Sequence, residues 1–280
     1  MPKIRNAESR AVTRRFVLCA MILAFVLSGC QQLQRHEKEE DEVVLATSPD
    51  AAMTSVPSDF AAKAVNAAGG LNAWAKSKEI HLASVVTLYQ PDGSHYLSEL
   101  QLAVYPWSNS IQVSANEPEG QLLWQLSNGQ FKVLQGDDRI AELSKEAQSC
   151  DLAEAVLSIV TAPARLLDKS ADFAEKGSPI KIQGQWHQPI ERLPMSGILA
   201  GPRLSGAIFY QNRDNSLIDI IQFESAGTGK ILTVRGYDHR EIEKGGALVP
   251  AGIEIFTTDS QANAQGRLVK IDSHTLGPAK

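Results

Sequence analysis

The chain has 280 residues, of which 43% are hydrophobic and 21% are charged, which is the composition of a globular protein. This composition excludes a disordered chain, a collagen and a protein with several membrane spans. The net charge of −5 gives no general attraction for nucleic acid, because DNA and RNA binding depends on cationic side chains that neutralise phosphates.

The first 29 residues have the pattern of an export signal. Five basic residues and one acidic residue precede a short apolar run from Phe16 to Leu27. This run is too short to cross a bilayer, since a spanning helix needs about 20 apolar residues. A basic segment followed by a short apolar one is typical of a secretory signal. We therefore predict that residues 1–29 are a signal peptide.

The apolar run ends in Leu27-Ser28-Gly29-Cys30, which resembles the lipobox of bacterial lipoproteins. The resemblance implies cleavage between Gly29 and Cys30, diacylglycerol on the Cys30 thiol and an acyl chain on the new amino terminus, with no other cofactor. Several acyl chains on one residue satisfy the rule that stable anchoring needs more than one chain. The alternatives are an ordinary secretory signal with a chance cysteine and an uncleaved anchor.

The residue after Cys30 and the charge of the mature chain bear on its location. Under the enterobacterial sorting rule an Asp at this position retains a lipoprotein at the inner membrane, and Gln31 therefore favours the outer membrane, facing the periplasm. Cleavage removes five basic residues and one acidic residue, which changes the net charge from −5 to −9. Direct adhesion to anionic lipid is then not expected, and membrane attachment depends on Cys30.

Residues 30–57 are predicted to form the lipidated amino terminus and a flexible tether. A polar and acidic run is followed by a stretch of Ser, Thr, Pro and Ala, a composition that does not form a packed core. Such a spacer holds a globular domain clear of the lipid headgroups. The acidic run from Glu37 to Glu42 could also be a binding tag, but a solvated linker is the preferred interpretation.

Residues 58–280 are predicted to form one domain that begins with helical segments. Ser58 can cap a first helix, and Gly69-Gly70 can end or kink it. Leu71 and Trp74 continue the apolar face of this helix through a further turn. The chain therefore enters its domain through two short helical segments.

After these segments the hydrophobic period changes to two, which is typical of half-buried strands. Pro91-Asp92-Gly93 and other short turns separate the strands, so sequential strands are expected to pair as an antiparallel meander. The predicted strands are Ile80–Gln90, His95–Tyr105, Ser110–Asn116, Gln121–Leu126, Phe131–Leu134, Arg139–Leu143, Ile180–Gln185, Gly206–Arg213, Leu217–Ser225, Lys230–Glu241, Gly252–Thr258 and Gly266–Ser273.

A mid-chain helix interrupts the strands and completes an α+β fold class. Asp151 and Glu154 have the spacing of a capping box, apolar residues follow at helical spacing, and Pro163 is expected to break or kink the helix. Each strand is amphipathic, so one face of the sheet needs cover. Two short helical segments cannot easily cover so many strands. The sheet therefore either closes into a barrel or leaves a partly covered apolar cavity that suits an acyl chain.

The run from Ala67 to Lys76, followed directly by a strand, resembles the start of LolA/LolB/LppX-like domains, a family of periplasmic lipoprotein and lipid carriers. The helix with Pro163 and the run from Tyr237 to Arg240, followed by Pro250, fit the same family pattern. The resemblance implies a strongly bent antiparallel sheet, an incomplete β-barrel, with helices covering the open side and acyl chains bound in the gap. It assigns no residue of this chain to a lipid-binding cavity.

The sequence does not predict an enzyme, because its candidate catalytic motifs are incomplete. Cys150, the only thiol after cleavage, has no histidine near it in sequence and is interpreted as a buried core residue. Asp272 and His274 share a strand face, but the chain has no Gly-x-Ser-x-Gly motif to complete a triad. Gly227-Thr228-Gly229-Lys230 lacks the glycine spacing of a P-loop and precedes a strand, which favours a hairpin turn. The six histidines do not cluster, so zinc is not expected.

Two further groups of residues are candidate ligand sites. Trp107, Trp124 and Trp186 could line a ligand, although core packing is the preferred interpretation of each. Gly136-Asp137-Asp138 could offer carboxylates to a metal or a sugar, but a turn is preferred.

The sequence therefore predicts a membrane-anchored envelope lipoprotein that binds an acyl chain, a lipid or a lipoprotein in an apolar cavity, as a carrier or acceptor. The alternative is a non-catalytic scaffold or accessory lipoprotein whose core is filled by its own side chains. An envelope hydrolase is the least favoured hypothesis. The expected partners are the membrane, through the lipid anchor, and a lipid or lipoprotein ligand, and the oligomeric state stays open.

Overall fold

The computed structural model describes residues 59–117, 120–127, 129–135, 138–139, 143–168, 172–193, 206–225, 229–259 and 262–278. The predicted signal peptide, its cleavage site at Gly29 and Cys30, and the tether lie outside the described residues, and so do the predicted boundaries between these segments. Within the described ranges, no helix has the length and hydropathy needed to cross a membrane.

The described residues form four helices and fourteen strands. The helices are α1 (Asp59–Ala67), α2 (Leu71–Lys76), α3 (Leu143–Val160) and α4 (Ala162–Leu166). The strands are β1 (Ile80–Tyr89), β2 (His95–Tyr105), β3 (Ser110–Glu117), β4 (Gly120–Ser127), β5 (Gln130–Gln135), β6 (Asp138–Arg139), β7 (Asp172–Glu175), β8 (Ile180–Ile182), β9 (Gln185–Leu193), β10 (Ile208–Asn212), β11 (Ile218–Glu224), β12 (Ile231–Glu241), β13 (Leu248–Thr258) and β14 (Ala264–Pro278).

The strands belong to one antiparallel sheet that does not close into a barrel. Their order is β6-β5-β4-β3-β2-β1-β14-β13-β12-β11-β10-β9-β7, and β8 pairs with β9. Neighbours in the sheet are mostly neighbours in the chain, as expected for a meander. The main departure is the pair β1–β14, in which Ile80 lies opposite Pro278 and Val86 opposite Ile271. The first and last strands therefore meet in the middle of the sheet, whereas β6 and β7 form its two edges.

Alternation along each strand determines which face it buries. In β1 the side chains of Ile80, Leu82 and Val86 are buried, whereas His81 between them is exposed. Pairing places Val86 beside Ile271, and Ile271 beside Ile253 of β13, so an apolar row crosses three strands. Complete burial of one such side chain stabilises the fold by roughly 1.5–3 kcal/mol.

The glycine pair Gly69-Gly70 separates α1 from α2, as predicted. Both residues have φ values in the left-handed region, 102° and 89°, which glycine adopts without a steric penalty. The carbonyl of Ala68 accepts a hydrogen bond from Leu248 N at 2.9 Å and another from Trp74 Nε1 at 2.9 Å. Trp74 is fully buried, so this contact fixes the two short helices against the start of β13.

The mid-chain helix begins earlier than predicted, and the strand predicted over Arg139–Leu143 is wrong at its end. α3 starts at Leu143, and β6 ends at Arg139. The residues before Asp151 include good helix formers, which extend the helix backwards. Asp151 does not mark the helix start, because its carboxylate accepts hydrogen bonds from Ser225 instead. The break expected at Pro163 is confirmed, since α3 ends at Val160 and Pro163 lies in the first turn of α4.

Two strands on one side of the sheet were missed, namely β7 and most of β9. The strand predicted over Ile180–Gln185 starts at the predicted residue but ends at Ile182, because Gln183 and Gly184 adopt positive φ values and reverse the chain into β9. β9 contains Pro189, a residue that argues against a central strand. Pro189 lies between the part of β9 that pairs with β8 and the part that pairs with β7.

The remaining predicted strands are confirmed, with ends that differ by a few residues. β13 starts at Leu248 rather than Gly252, and β14 continues to Pro278. Turns at residues 213–215 and 244–245 separate β10 from β11 and β12 from β13. Residues 226–228, which include part of the predicted hairpin turn before Lys230, lie outside the described residues.

Candidate functional site

Helix α3 lies between the two halves of the open sheet. It contacts β3, β4 and β5 of one half and β11, β12 and β13 of the other. These two sets of strands are far apart in the sheet order, so one helix can reach both only if the sheet bends around it. The concave face of the sheet and α3 together form the apolar interior, the term used below for this region.

The carboxyl-terminal half of α3 is buried on every side. A surface helix buries one stripe, whereas a helix that is apolar all round belongs to an interior. The residues concerned are each at most 5% exposed and are Leu152, Ala153, Ala155, Val156, Leu157, Ile159 and Val160. Cys150 is buried at the beginning of the same stretch, which confirms its interpretation as a core residue.

A glycine in β12 allows α3 to approach the sheet closely. A Cβ atom placed on Gly236 would lie 3.0 Å from Cγ1 of Ile159 and 2.8 Å from Cβ of Pro250. Real Cβ atoms essentially never come closer than 3.0 Å to another heavy atom. The distance between α3 and β12 therefore depends on the absence of a side chain at position 236.

Hydrogen bonds at the middle of α3 fix the helix along its axis. Ser225, at the end of β11, donates to the two carboxylate oxygens of Asp151 at 2.9 and 2.7 Å. Two residues before the end of α3, Ser158 is fully buried, and its hydroxyl has no hydrogen-bond partner among the described residues. A buried hydroxyl without a hydrogen-bond partner costs about 1–3 kcal/mol of folding free energy. The hydroxyl of Ser158 is therefore an unsatisfied polar group in the apolar interior.

Charged side chains gather where α3 meets α4 and β9. Burial lowers the pKa of Arg165 to about 10, the nearby guanidinium of Arg192 lowers it as well, and the carboxylates of Glu154 and Asp168 oppose this shift. Burial also lowers the pKa of Arg192. Arg165 remains charged at neutral pH and donates from Nε to Thr161 Oγ1 at 3.0 Å. One end of the apolar interior is therefore polar and carries both signs of charge.

Partly buried apolar side chains mark a place where the apolar interior approaches the surface. Leu122 and Trp124 of β4 and Phe131 of β5 pack against the core but remain partly exposed. They share a sheet face with Leu126, which is buried in the core that includes α3. We call Leu122, Trp124 and Phe131 the apolar lip.

The three tryptophans considered as ligand residues have three different environments. Trp107 is buried and donates from Nε1 to the carbonyl of Trp74 at 3.3 Å, so its interpretation as a core residue is confirmed. Trp124 belongs to the apolar lip and is only partly buried. The core interpretation of Trp186 is wrong, because this side chain is 49% exposed. Trp186 follows the β8–β9 turn and pairs with the short strand β8, so no large element covers it.

Within the described residues, the candidate catalytic and metal-binding side chains do not form a reactive centre. Asp272 and His274 are both exposed, and Asp272 accepts a hydrogen bond from Lys270 at 2.7 Å. Within the described ranges, no three His, Cys, Asp or Glu side chains are placed to hold a metal ion. Residues 136 and 137 of the Gly-Asp-Asp segment lie outside the described residues.

The environment of His239, in the run from Tyr237 to Arg240, changes the acidity of its imidazole. Burial lowers the pKa of His239 below the usual value of 6.5, and the nearby carboxylates of Asp219 and Asp238 oppose this shift. The folded chain therefore resists protonation of His239, and the neutral imidazole is the form that the fold favours.

Comparison with solved structures shows which fold this is. The LolA superfamily protein of Nitrosomonas europaea has a TM-score of 0.51 at 14% identity, over 81% of this chain and 95% of that chain. A lipoprotein-sorting protein domain of the outer membrane from Vibrio parahaemolyticus has a TM-score of 0.47 at 11% identity, over 79% and 94%. A DUF1329 family protein of Desulfovibrio piger has a TM-score of 0.43 at 12% identity, over 78% and 91%.

The chain therefore has a LolA-like fold, and the expected fold class is confirmed: a large antiparallel sheet that is not closed, with few helices. At 14% identity the likeness establishes the fold alone. No protein-family model matches the chain, and the curated proteins searched give no match either.

The close approach of α3 to β12 yields a test of stability. Gly236→Ala places a methyl group against Ile159 and Pro250, so we expect the free energy of unfolding to fall by roughly 1–3 kcal/mol. Gly277→Ala in β14 is the control, because no atom lies within 4 Å of the added carbon. Chemical denaturation measures both variants, and equal stability of the two would contradict the packing described for α3.

The environment of His239 predicts a pH dependence. Because the pKa is lowered in the folded state, the unfolded chain binds more protons as the pH falls through 6.5, and the fold loses stability there. We expect His239→Gln to lose less stability than the natural chain when the pH is changed from above to below 6.5. Denaturation at both pH values measures the difference, and identical losses in the two proteins would show that His239 contributes nothing to it.

Proposed function

We propose that the chain is an envelope lipoprotein that is anchored through lipid on Cys30 and binds an acyl chain, a lipid or a lipoprotein in the apolar interior. The mature chain begins at Cys30 after cleavage behind Gly29, and residues 30–57 tether the domain to the periplasmic side of the outer membrane. The observation that carries the proposal is the open, bent sheet, whose apolar interior approaches the surface at the apolar lip. In this proposal the domain is a non-catalytic carrier or acceptor.

An acyl chain needs a continuous apolar surface and a way to reach it. The concave face supplies the surface, and burial of each methylene group there contributes about 0.8 kcal/mol. The apolar lip gives the acyl chain a partly exposed path along the edge of the sheet. The LolA-like fold supports a lipid- or lipoprotein-binding class at this coarse level.

The second candidate function is a scaffold or accessory lipoprotein with a self-filled core. It is favoured by the carboxyl-terminal half of α3, whose apolar side chains are buried, and by the contacts of α3 with both halves of the sheet. A helix in this position occupies space that an acyl chain would otherwise use. The two functions therefore differ in whether a lipid contacts the face of the sheet that α3 covers.

Photo-crosslinking inside cells separates the two functions. A photo-reactive phenylalanine analogue at position 124 lies on the face of β4 that shares the core, whereas the same analogue at position 125 lies on the opposite face. We expect light-dependent acyl or lipid adducts at position 124 and none at position 125, as detected by mass spectrometry of the purified chain. Adducts at neither position would favour the self-filled scaffold.

The proposed anchor has its own test. Cys30→Ala should abolish metabolic labelling with an alkyne fatty acid, because the thiol that accepts diacylglycerol is lost. Cys150→Ala is the matched control and should keep the label, since Cys150 is buried in the core. The measurement is in-gel detection after click reaction, and a label that persists on Cys30→Ala would overturn the lipoprotein assignment without affecting the test at position 124.

A further inference from the structure

An open pocket lies where the β8–β9 turn approaches the β10–β11 turn. Its volume is about 450 Å³, and it is lined by Pro179, Trp186, Arg213 and Asp214. Binding sites for small molecules have volumes of roughly 300–1,000 Å³. None of these four residues belongs to the apolar core around α3, so the pocket is distinct from the apolar interior.

Trp186 gives the pocket an apolar wall that is half exposed to solvent. Tryptophan is highly buried on average, because removing its large ring from water stabilises the folded state. Trp186 is nevertheless 49% exposed, and the ring does not contribute to the core. A tryptophan held in this way offers a ligand a flat apolar surface that the fold itself does not use.

Arg213 and Asp214 add polar groups of opposite charge to the pocket. Both side chains are exposed, and within the described part of the chain neither takes part in a side-chain hydrogen bond or an ion pair. The guanidinium of Arg213 can only donate hydrogen bonds, and the carboxylate of Asp214 can only accept them. A ligand in the pocket therefore meets donors and an acceptor next to each other, with no net charge.

A buried polar network holds the two turns in place. Arg213 N donates to the carbonyl of Trp186 at 2.9 Å, which ties the two walls of the pocket together. Beneath them, Asn212 Nδ2 donates to Asp219 Oδ2 at 2.9 Å, and His187 Nε2 lies 2.9 Å from Asp219 Oδ1. Asn212 and His187 are each only 1% exposed. The pocket is therefore ordered before a ligand arrives, which lowers the entropic cost of binding.

The chemistry of the pocket selects among classes of ligand. Asp214 repels a phosphate while Arg213 attracts it, and the reverse holds for an ammonium group. The pair therefore gives no net attraction for either sign of charge and suits a ligand without net charge. Hydroxyl groups both donate and accept hydrogen bonds, and can therefore satisfy Arg213 and Asp214 together. A sugar ring also presents a face of C–H groups, whose partial positive charge is attracted to the negative face of the Trp186 ring. A sugar meets all three requirements.

We propose that this pocket is a binding site for a neutral saccharide unit, with Trp186 as the stacking surface and Arg213 and Asp214 as the hydrogen-bonding pair. The site is independent of acyl binding, because it lies outside the apolar interior. In an envelope protein it adds the recognition of a glycan to the domain.

Saturation-transfer difference NMR and calorimetric titration test the proposal. The full chain is purified in a detergent without a sugar headgroup, because a sugar detergent would compete for the pocket. The probes are chitotriose and maltotriose as neutral oligosaccharides and glucose 6-phosphate as a charged control. We expect at least one neutral oligosaccharide to bind, and to bind more tightly than glucose 6-phosphate.

Variants connect the binding to the pocket. Trp186→Ala should weaken the affinity for the oligosaccharide roughly tenfold or more, and Asp214→Asn should weaken it while leaving the stacking surface intact. Leu97→Ala is the matched control, since Leu97 is 65% exposed on β2, away from the pocket, and should not change the affinity. The proposal is overturned if neither neutral probe binds, if glucose 6-phosphate binds as tightly, or if Trp186→Ala binds like the natural chain. Adduct formation at position 124 is measured separately and does not depend on these outcomes.

Discussion

The need to cover the concave face of a large open sheet governs the rest of this structure. The long strands place apolar residues on that face, and α3 packs against both halves of the sheet at once. The fit depends on Gly236, where the helix comes closest to β12. Because α3 contacts both halves of the sheet, the bend of the sheet and the position of the helix depend on each other.

The fold contains two chemically different regions. The apolar interior has an unsatisfied hydroxyl at Ser158, charged residues at one end and the apolar lip at its edge. The pocket at Trp186 is open, combines an apolar ring with two charged side chains, and is supported by the hydrogen-bonded pair of His187 and Asp219. The proposed acyl site and the proposed saccharide site therefore use residues that do not overlap.

Much of the sheet was predictable, because alternation is a local property that each strand displays by itself. β2 illustrates this, since its predicted and observed bounds are both His95–Tyr105. β9 was not predicted, because Pro189 interrupts the alternation of apolar and polar residues. The chain reversal at Gln183 depends on a positive φ value that the residue type does not indicate. The position of α3 inside the sheet, and the contact between Trp186 and Arg213, join residues that are distant in sequence. No local sequence pattern contains such contacts, so the apolar lip and the pocket can be identified only from the three-dimensional structure.

The pairing of β1 with β14 has a consequence for the order of folding. Ile80, at the start of the sheet, lies opposite Pro278, so the central hydrogen bonds join residues from opposite ends of the domain. Contacts between residues so far apart in sequence form slowly, because closing the long intervening loop costs conformational entropy. A nascent chain can make the hairpins on either side, including the pair β1–β2, but the other edge of β1 has no partner until β14 emerges. Completion of the sheet therefore requires the whole domain to have been synthesised.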